Sequence, residues 1–176
     1  EGVVLLEPQS TNLITYSEDF SNASWSKIGN SSFGFVTGIA PDGTTSVYEI
    51  TSDGGGGKLQ NTIGGLTINT EYILSFYAKK ESDITLVQSR VLSLTGGSGG
   101  TNLTTVDYQN DLITDQWVRI THTFTTDDTL GNYILYLSNA LTSGDTLQVY
   151  GAQLEALPYD TSYIPTSGAI ATRLAD

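Results

Sequence analysis

The chain holds one histidine, His122, and no cysteine. Zinc ligation and Cys-His catalysis both need more than that. A serine triad would have to use His122, and no Gly-x-Ser-x-Gly turn accompanies it. Glycines 54–57 precede Lys58, but without the spacing of a phosphate loop or a helix to follow it. Glycoside hydrolysis needs two carboxyls facing each other across a cleft. Glu49, Glu71, Asp107 and Glu155 are available for such a pair, yet nothing in their pattern separates them from solvated surface charge. The expectation is a domain that binds rather than catalyses.

Two kinds of binding chemistry remain. Hard cations take carboxylate, amide and backbone oxygens from loops. Glu18 and Asp19 precede a turn, Asp42 sits in the turn sequence Pro-Asp-Gly, and Asp127-Asp128 sit in another. Glu18, Asp19 and Asp42 are therefore the candidate ligands of a structural Ca2+ ion. No other cofactor is indicated. The second chemistry is aromatic: flat side chains stack on an apolar face while amides, guanidinium groups and acids bond a rim of hydroxyls.

Those side chains must be positioned by strands. Thr, Ser, Gly, Asn and Tyr are abundant, and short β-like runs follow one another with turn signals between them. The runs are 32–37, 45–51, 71–79, 84–92, 103–108, 117–125, 133–137 and 146–155, with weaker ones besides. Roughly nine or ten strands at this spacing predict an all-β fold, a jelly-roll β-sandwich of two antiparallel sheets. No apolar period of 3.6 residues persists, although 19–25 could form a short helical turn. The glycine-rich runs 54–57 and 96–100 read as hairpin loops.

Strand parity sorts the faces. In 71–79, Tyr72, Leu74, Phe76 and Ala78 read as core, leaving Ser75, Tyr77 and Lys79 on the other face. In 117–125, Val118, Ile120, His122 and Phe124 share the apolar face, which makes His122 a hydrogen-bonded structural residue. Trp117, Arg119, Thr121 and Thr123 lie opposite. Gln88 and Arg90 share a face of their strand. If these strands are neighbours, Tyr77, Lys79, Gln88, Arg90, Trp117 and Arg119 line one groove. Trp117 also fits a cap on the core edge, and Tyr77 a simple cover of the sheet.

The charge limits the partners. Nineteen acids against seven bases give a net charge of −12 over 176 residues. Nucleic acid and anionic membrane surfaces are disfavoured; a neutral ligand or another protein fits better. One domain accounts for the length. The chain begins with Glu1 and lacks methionine, so it reads as a piece of a longer protein. Residues 1–6 are too short, and lack the basic flank, for a signal peptide. Residues 158–176, with two prolines in 158–168, read as an extended segment over the surface leading to a next domain.

Four blocks occur in order: 6–25 (LEPQSTNLITYSEDFSNASW), 40–45 (APDGTT), 151–155 (GAQLE) and 161–168 (TSYIPTSG), the last followed by Thr172-Arg173 and Ala175-Asp176. Together they resemble a domain common in bacteriophage tail and fibre proteins. Those domains are similar to jelly-roll carbohydrate-binding modules of the xylan- and glucan-binding type, with 72–79 like their central strand and 117–124 like a later one. The resemblance implies a concave glycan-binding face, and a calcium near the N-terminal and last strands. The last strand departs from the pattern: it carries Tyr150-Gly-Ala-Gln153 where an aspartate is common.

The function that follows is a non-catalytic polysaccharide-binding module of a phage virion or tail protein, placed on the virion or outside the cell. Its partners would be a host-surface or environmental glycan and the other domains of a longer chain. A structural spacer or decoration domain is the alternative, and a polysaccharide depolymerase a third reading.

Overall fold

The computed structural model describes residues 6–95 and 100–176. Ten strands follow in order: β1 (Ser10–Asn12), β2 (Trp25–Thr37), β3 (Ser46–Gly64), β4 (Glu71–Lys80), β5 (Gln88–Ser93), β6 (Thr101–Asp107), β7 (Val118–Thr125), β8 (Asn132–Leu141), β9 (Thr146–Glu155) and β10 (Ala171–Arg173). Hydrogen bonds link them as β6-β5-β8-β3-β9-β4-β7, with β2 also on β3 and with β1 paired separately to β10. Each pairing of named strands is antiparallel. This is the all-β jelly-roll architecture that the periodicity predicts.

The two layers share one strand. Residues 48–51 of β3 pair with β9, while 57–64 pair with β8. β2 follows the same bend, with 31–37 against 46–52 and 25–28 against 58–61. One layer therefore runs β7-β4-β9 and on into the first part of β3; the other runs β6-β5-β8 and into its last part. Glycines 54–57 lie at the corner, inside β3, and do not form the expected hairpin loop. The reason is steric. Gly56 has φ +67°, and a Cβ at Gly57 would stand 2.6 Å from Ser31 Oγ. Only glycine lets a strand change neighbours so sharply. Residues 96–99 of the second glycine run lie outside the described residues.

The core is built by alternation. Leu74, Phe76, Ile120, Phe124, Val149 and Leu147 of one layer meet Val91, Leu135, Leu137 and Leu59 of the other, all buried. Each such side chain contributes about 1.5–3 kcal/mol through removal from water. Phe76 meets Tyr108 edge-on at 5.6 Å, and Phe124 approaches Tyr133 at 6.4 Å. His122 lies in the core at 1% exposure, on the face its parity predicts. Residues 19–25 form successive turns, not a helix, through Phe20 N–Glu18 O (3.0 Å), Asn22 N–Asp19 O (3.2 Å) and Trp25 N–Asn22 O (3.0 Å). The strand expected over 84–92 begins only at Gln88.

The segment after β9 folds back over the β4 layer. β10 pairs with β1, and Arg173 forms an ion pair with Glu7. Glu155, fully buried, accepts Ser10 Oγ at 2.5 Å, Thr161 Oγ1 at 2.5 Å and Thr161 N at 3.1 Å. Three donors stand in for the water that such a carboxylate loses.

Candidate functional site

The six residues expected in one groove fall on two faces. β4 neighbours β7 and β9, whereas β5 neighbours β6 and β8. Tyr77, Lys79, Trp117 and Arg119 lie on the outer surface of the β4 layer. Gln88 and Arg90 alternate with Ser89 and Val91, which face the core, and so lie on the outer surface of the β5 layer. The single groove is thus not formed, because the strands that would share it belong to different layers.

On the β4 layer the register sets Arg119, Tyr77 and Tyr150 in a row, and Val47, paired with Val36, packs against Tyr150 to continue it. Tyr163 of the folded-back segment lands on this row, 6.4 Å from Tyr77 and 5.9 Å from Tyr150. A bulge at Gly151, with φ +61°, admits it: a Cβ there would stand 3.1 Å from the Tyr163 ring. Trp117 closes the other end, with Lys79 Nζ 5.5 Å from its ring centroid. Several polar handles here are in use, while Gln148 Oε1 is buried without a partner. Trp117 Nε1 donates to Ile39 O at 2.8 Å. Arg119 bonds Ser75 Oγ at 2.9 Å and pairs with Asp160 at 3.1 Å. The Tyr150 and Tyr163 hydroxyls both donate to Glu18 Oε1 at 3.0 Å. Burial pushes both phenols up, and the adjacent Glu18 adds to the shift.

The expected calcium ligands do not form a set. Glu18 receives the two tyrosines, Asp19 Oδ1 takes Ser21 N and Oγ at 3.1 and 2.5 Å, and Asp42 Oδ1 takes Thr44 N and Oγ1 at 2.9 and 2.7 Å. Each carboxylate is occupied by its own turn or its own neighbours. Among the described residues, no group of three or more His, Asp or Glu is placed to hold a metal ion. Glu18 and Asp19 instead help line a hollow of about 320 Å³ with Phe35, Thr44, Ser46 and Tyr48.

The outer surface of the β5 layer differs. Its central row is Thr105, Arg90, Tyr136, Gln60 and Ser26, again set by register across five strands. Tyr136 and Gln60, each 7% exposed, and Asn139 at 6% form the floor. Half-buried Gln88, Arg90, Lys58 and Ile134 rise around them. Gln88 is braced on both sides, donating to Asp107 Oδ1 at 2.7 Å and accepting Asn139 Nδ2 at 3.0 Å. Arg90 Nε donates to Asn102 Oδ1 at 2.9 Å. Gln60 Oε1 is buried and without a hydrogen-bond partner. No described residue bonds the Tyr136 hydroxyl, which burial pushes up in pKa against a smaller opposing effect of Arg90.

Of the residues on this surface, the sequence reading names Gln88 and Arg90 but not Tyr136, Gln60, Lys58 or Asn139. The alternation of β8 carries Tyr136: Tyr133, Leu135 and Leu137 point inward, so Ile134 and Tyr136 point out. Gln60 has no comparable signal, because it follows the glycine run, which in sequence alone reads as a loop.

The fold has solved counterparts. The xylan-binding domain from Paenibacillus barcinonensis Xyn10C superposes with TM-score 0.62 at 10% identity, covering 85% of this chain and 94% of that one. The CBM22-1–GH10 modules of Clostridium thermocellum xylanase 10B, complexed with xylohexaose, give TM-score 0.64 at 16% identity over 91% of this chain and 30% of that one. The enzymatically active domain of bacteriophage CBA120 tailspike protein 4 gives 0.61 at 10% identity, over 81% and 21%. These likenesses speak to the fold. No curated protein sequence matches the chain. Residues 12–144 match the family model described as carbohydrate binding domain, and the chain belongs to that family of non-catalytic, carbohydrate-binding modules.

Proposed function

We propose that this module tethers a phage virion or tail protein to polysaccharide, and that the glycan lies across the outer surface of the β5 layer. One observation carries the choice of face: Arg90 and Lys58 stand on it outside any ion pair of the described residues, around polar groups that the fold leaves unbonded. Gln60 Oε1 is a buried acceptor with no partner, beside the unbonded Tyr136 hydroxyl. A buried acceptor left unpaired costs about 1–3 kcal/mol, which a shift of the Gln60 side chain that opens it to a sugar hydroxyl would recover. On the β4 layer the indole, the guanidinium and the Tyr150 and Tyr163 hydroxyls already have partners in the fold, although Gln148 Oε1 is a buried acceptor without one there too. The phage setting is supported by the four sequence blocks and by the fold shared with a tailspike domain; on this reading the module sits on the virion or outside the cell.

Affinity electrophoresis on a broad polysaccharide panel tests this. Retardation by at least one glycan should weaken on Tyr136→Phe and persist on Lys79→Ala, which alters the opposite face. Retardation lost only with Lys79→Ala moves the site to the β4 layer, and a folded domain that no glycan retards overturns the proposal.

One observation favours a second reading, the spacer or decoration domain. Leu6 and Tyr159, 72% and 51% exposed, line a hollow of about 310 Å³ with Pro8. Exposed apolar surface of this kind fits a neighbouring protein domain. That reading expects stable contacts with virion proteins and no glycan affinity.

A further inference from the structure

We infer that the ligand of the β5-layer surface is an acidic polysaccharide, with a uronate carboxylate received by the Arg90 guanidinium. The inference rests on the placement of the site proposed above and adds the charge of the ligand.

The seven basic residues of this acidic chain are almost all committed. Lys80 pairs with Asp83, Arg119 with Asp160 and Arg173 with Glu7. Lys27 Nζ donates to the carbonyls of Ser21, Asn22 and Trp25, and Lys79 lies over Trp117. The other two, Arg90 and Lys58, both stand on the outer surface of the β5 layer, on either side of the Tyr136–Gln60 floor. Neither has a carboxylate of the described residues within 4.0 Å. Arg90 is the one arginine of the three without an ion pair among the described residues.

Its geometry suits a carboxylate. Asn102 holds Arg90 through Nε, which fixes the guanidinium plane and leaves both terminal nitrogens unbonded to any described residue. A planar fork held in this way receives a carboxylate with two parallel charge-assisted hydrogen bonds. Asp107, the acid nearest along this ladder, is already held by Gln88 and so competes less for the fork. Gln60 Oε1 and the Tyr136 hydroxyl are left for the hydroxyls of the same or the adjoining sugar. An anionic polymer is repelled by most of this molecule, so the local cationic pair also selects the face on which it can settle.

The test compares polygalacturonate, alginate and glucuronoxylan with carboxyl-reduced polygalacturonate and neutral xylan, by affinity electrophoresis and titration calorimetry at 0.05 and 0.5 M NaCl. We expect at least one uronate polymer to bind about tenfold or more tightly than its neutral counterpart, as charge-assisted bonds require. High salt should erase most of that difference. Arg90→Gln should abolish it, and Arg90→Lys should restore only part, because the charge returns without the fork. Equal or tighter binding of neutral glycans, with no loss on Arg90→Gln, overturns the uronate assignment and leaves the glycan-binding face standing. Absence of binding to every polymer, by a domain that remains folded, overturns both.

Discussion

His122 Nδ1 and Ser89 Oγ stand 2.8 Å apart and join the two layers through the middle of the core. Ser89 Oγ also donates to Tyr136 O at 3.1 Å, so the pair braces the strand that carries the floor of the proposed glycan face. The other imidazole nitrogen, Nε2, is buried without a partner. A second proton on the ring would therefore have no acceptor, and burial lowers the His122 pKa to about 4.

That depression ties stability to pH. Once unfolded, His122 takes a proton near 6.5; folded, it stays neutral down to about 4. Its contribution is complete above pH 6.5 and declines as the pH falls from there toward 4, by about 3 kcal/mol in all. Chemical denaturation of the wild type and of His122→Gln at pH 7.5, 5.5 and 4.5 isolates this from the carboxylates, which titrate in both proteins. The wild type should lose more stability than the variant over that range. Parallel losses would mean that the imidazole is solvated.

How much of this was legible in the sequence depends on locality. The strands β4 and β7 read directly, because Tyr72, Leu74 and Phe76, and Ile120, His122 and Phe124, alternate without interruption. Parity gave each side chain its face. It could not give the layer, since strand order is set by pairings between residues far apart in the chain. Parity alone therefore groups Arg90 with Tyr77, although β5 and β4 are not neighbours in the sheet. The glycine corner was hidden for a different reason. Four consecutive glycines signal backbone freedom, and a hairpin and a strand changing sheets use that freedom alike. Tyr163 was hidden too, because a segment with two prolines and no alternation gives no sign of packing back on its own sheet.

Gly151 should not tolerate a side chain. Its φ of +61° costs an L-residue about 1–2 kcal/mol, and the new Cβ would also press on the Tyr163 ring at 3.1 Å. Gly151→Ala should lower stability by about 1–3 kcal/mol, or roughly 2–12 °C in Tm for a chain of this size. Tyr163→Ala removes the obstacle, so the double variant should lose less than the sum of the single losses. Strict additivity in a thermal melt would mean that the bulge and the ring are independent.

The folded-back segment depends on Glu155. Thr161→Val removes one of the three donors to a carboxylate buried beneath it, while the Thr161 amide and Ser10 remain. Loss of a hydrogen bond to a buried charge costs about 1.5–3 kcal/mol. Hydrogen exchange should report the change locally, with faster exchange around Ser162, Ile164 and Thr166 than in β4 or β8. Uniform acceleration across the whole sandwich would show that the segment and the core open as one unit.

Gln60 is the residue where stability and function should part. Its amide oxygen is buried and unpaired in the ligand-free protein, a penalty the fold carries for nothing in return unless a ligand donates to it. Gln60→Met keeps the length and volume of the side chain and removes the polar head. The ligand-free variant should be as stable as the wild type or more stable, by up to about 1–2 kcal/mol, because no orphan acceptor remains. Its affinity for whichever glycan the wild type retains should fall by about five- to tenfold, the worth of one hydrogen bond. Equilibrium unfolding and affinity electrophoresis on the same preparations read the two effects separately. A variant that loses stability while keeping its glycan affinity would show that Gln60 serves the sheet, and would take the binding face away from the centre of the β5 layer.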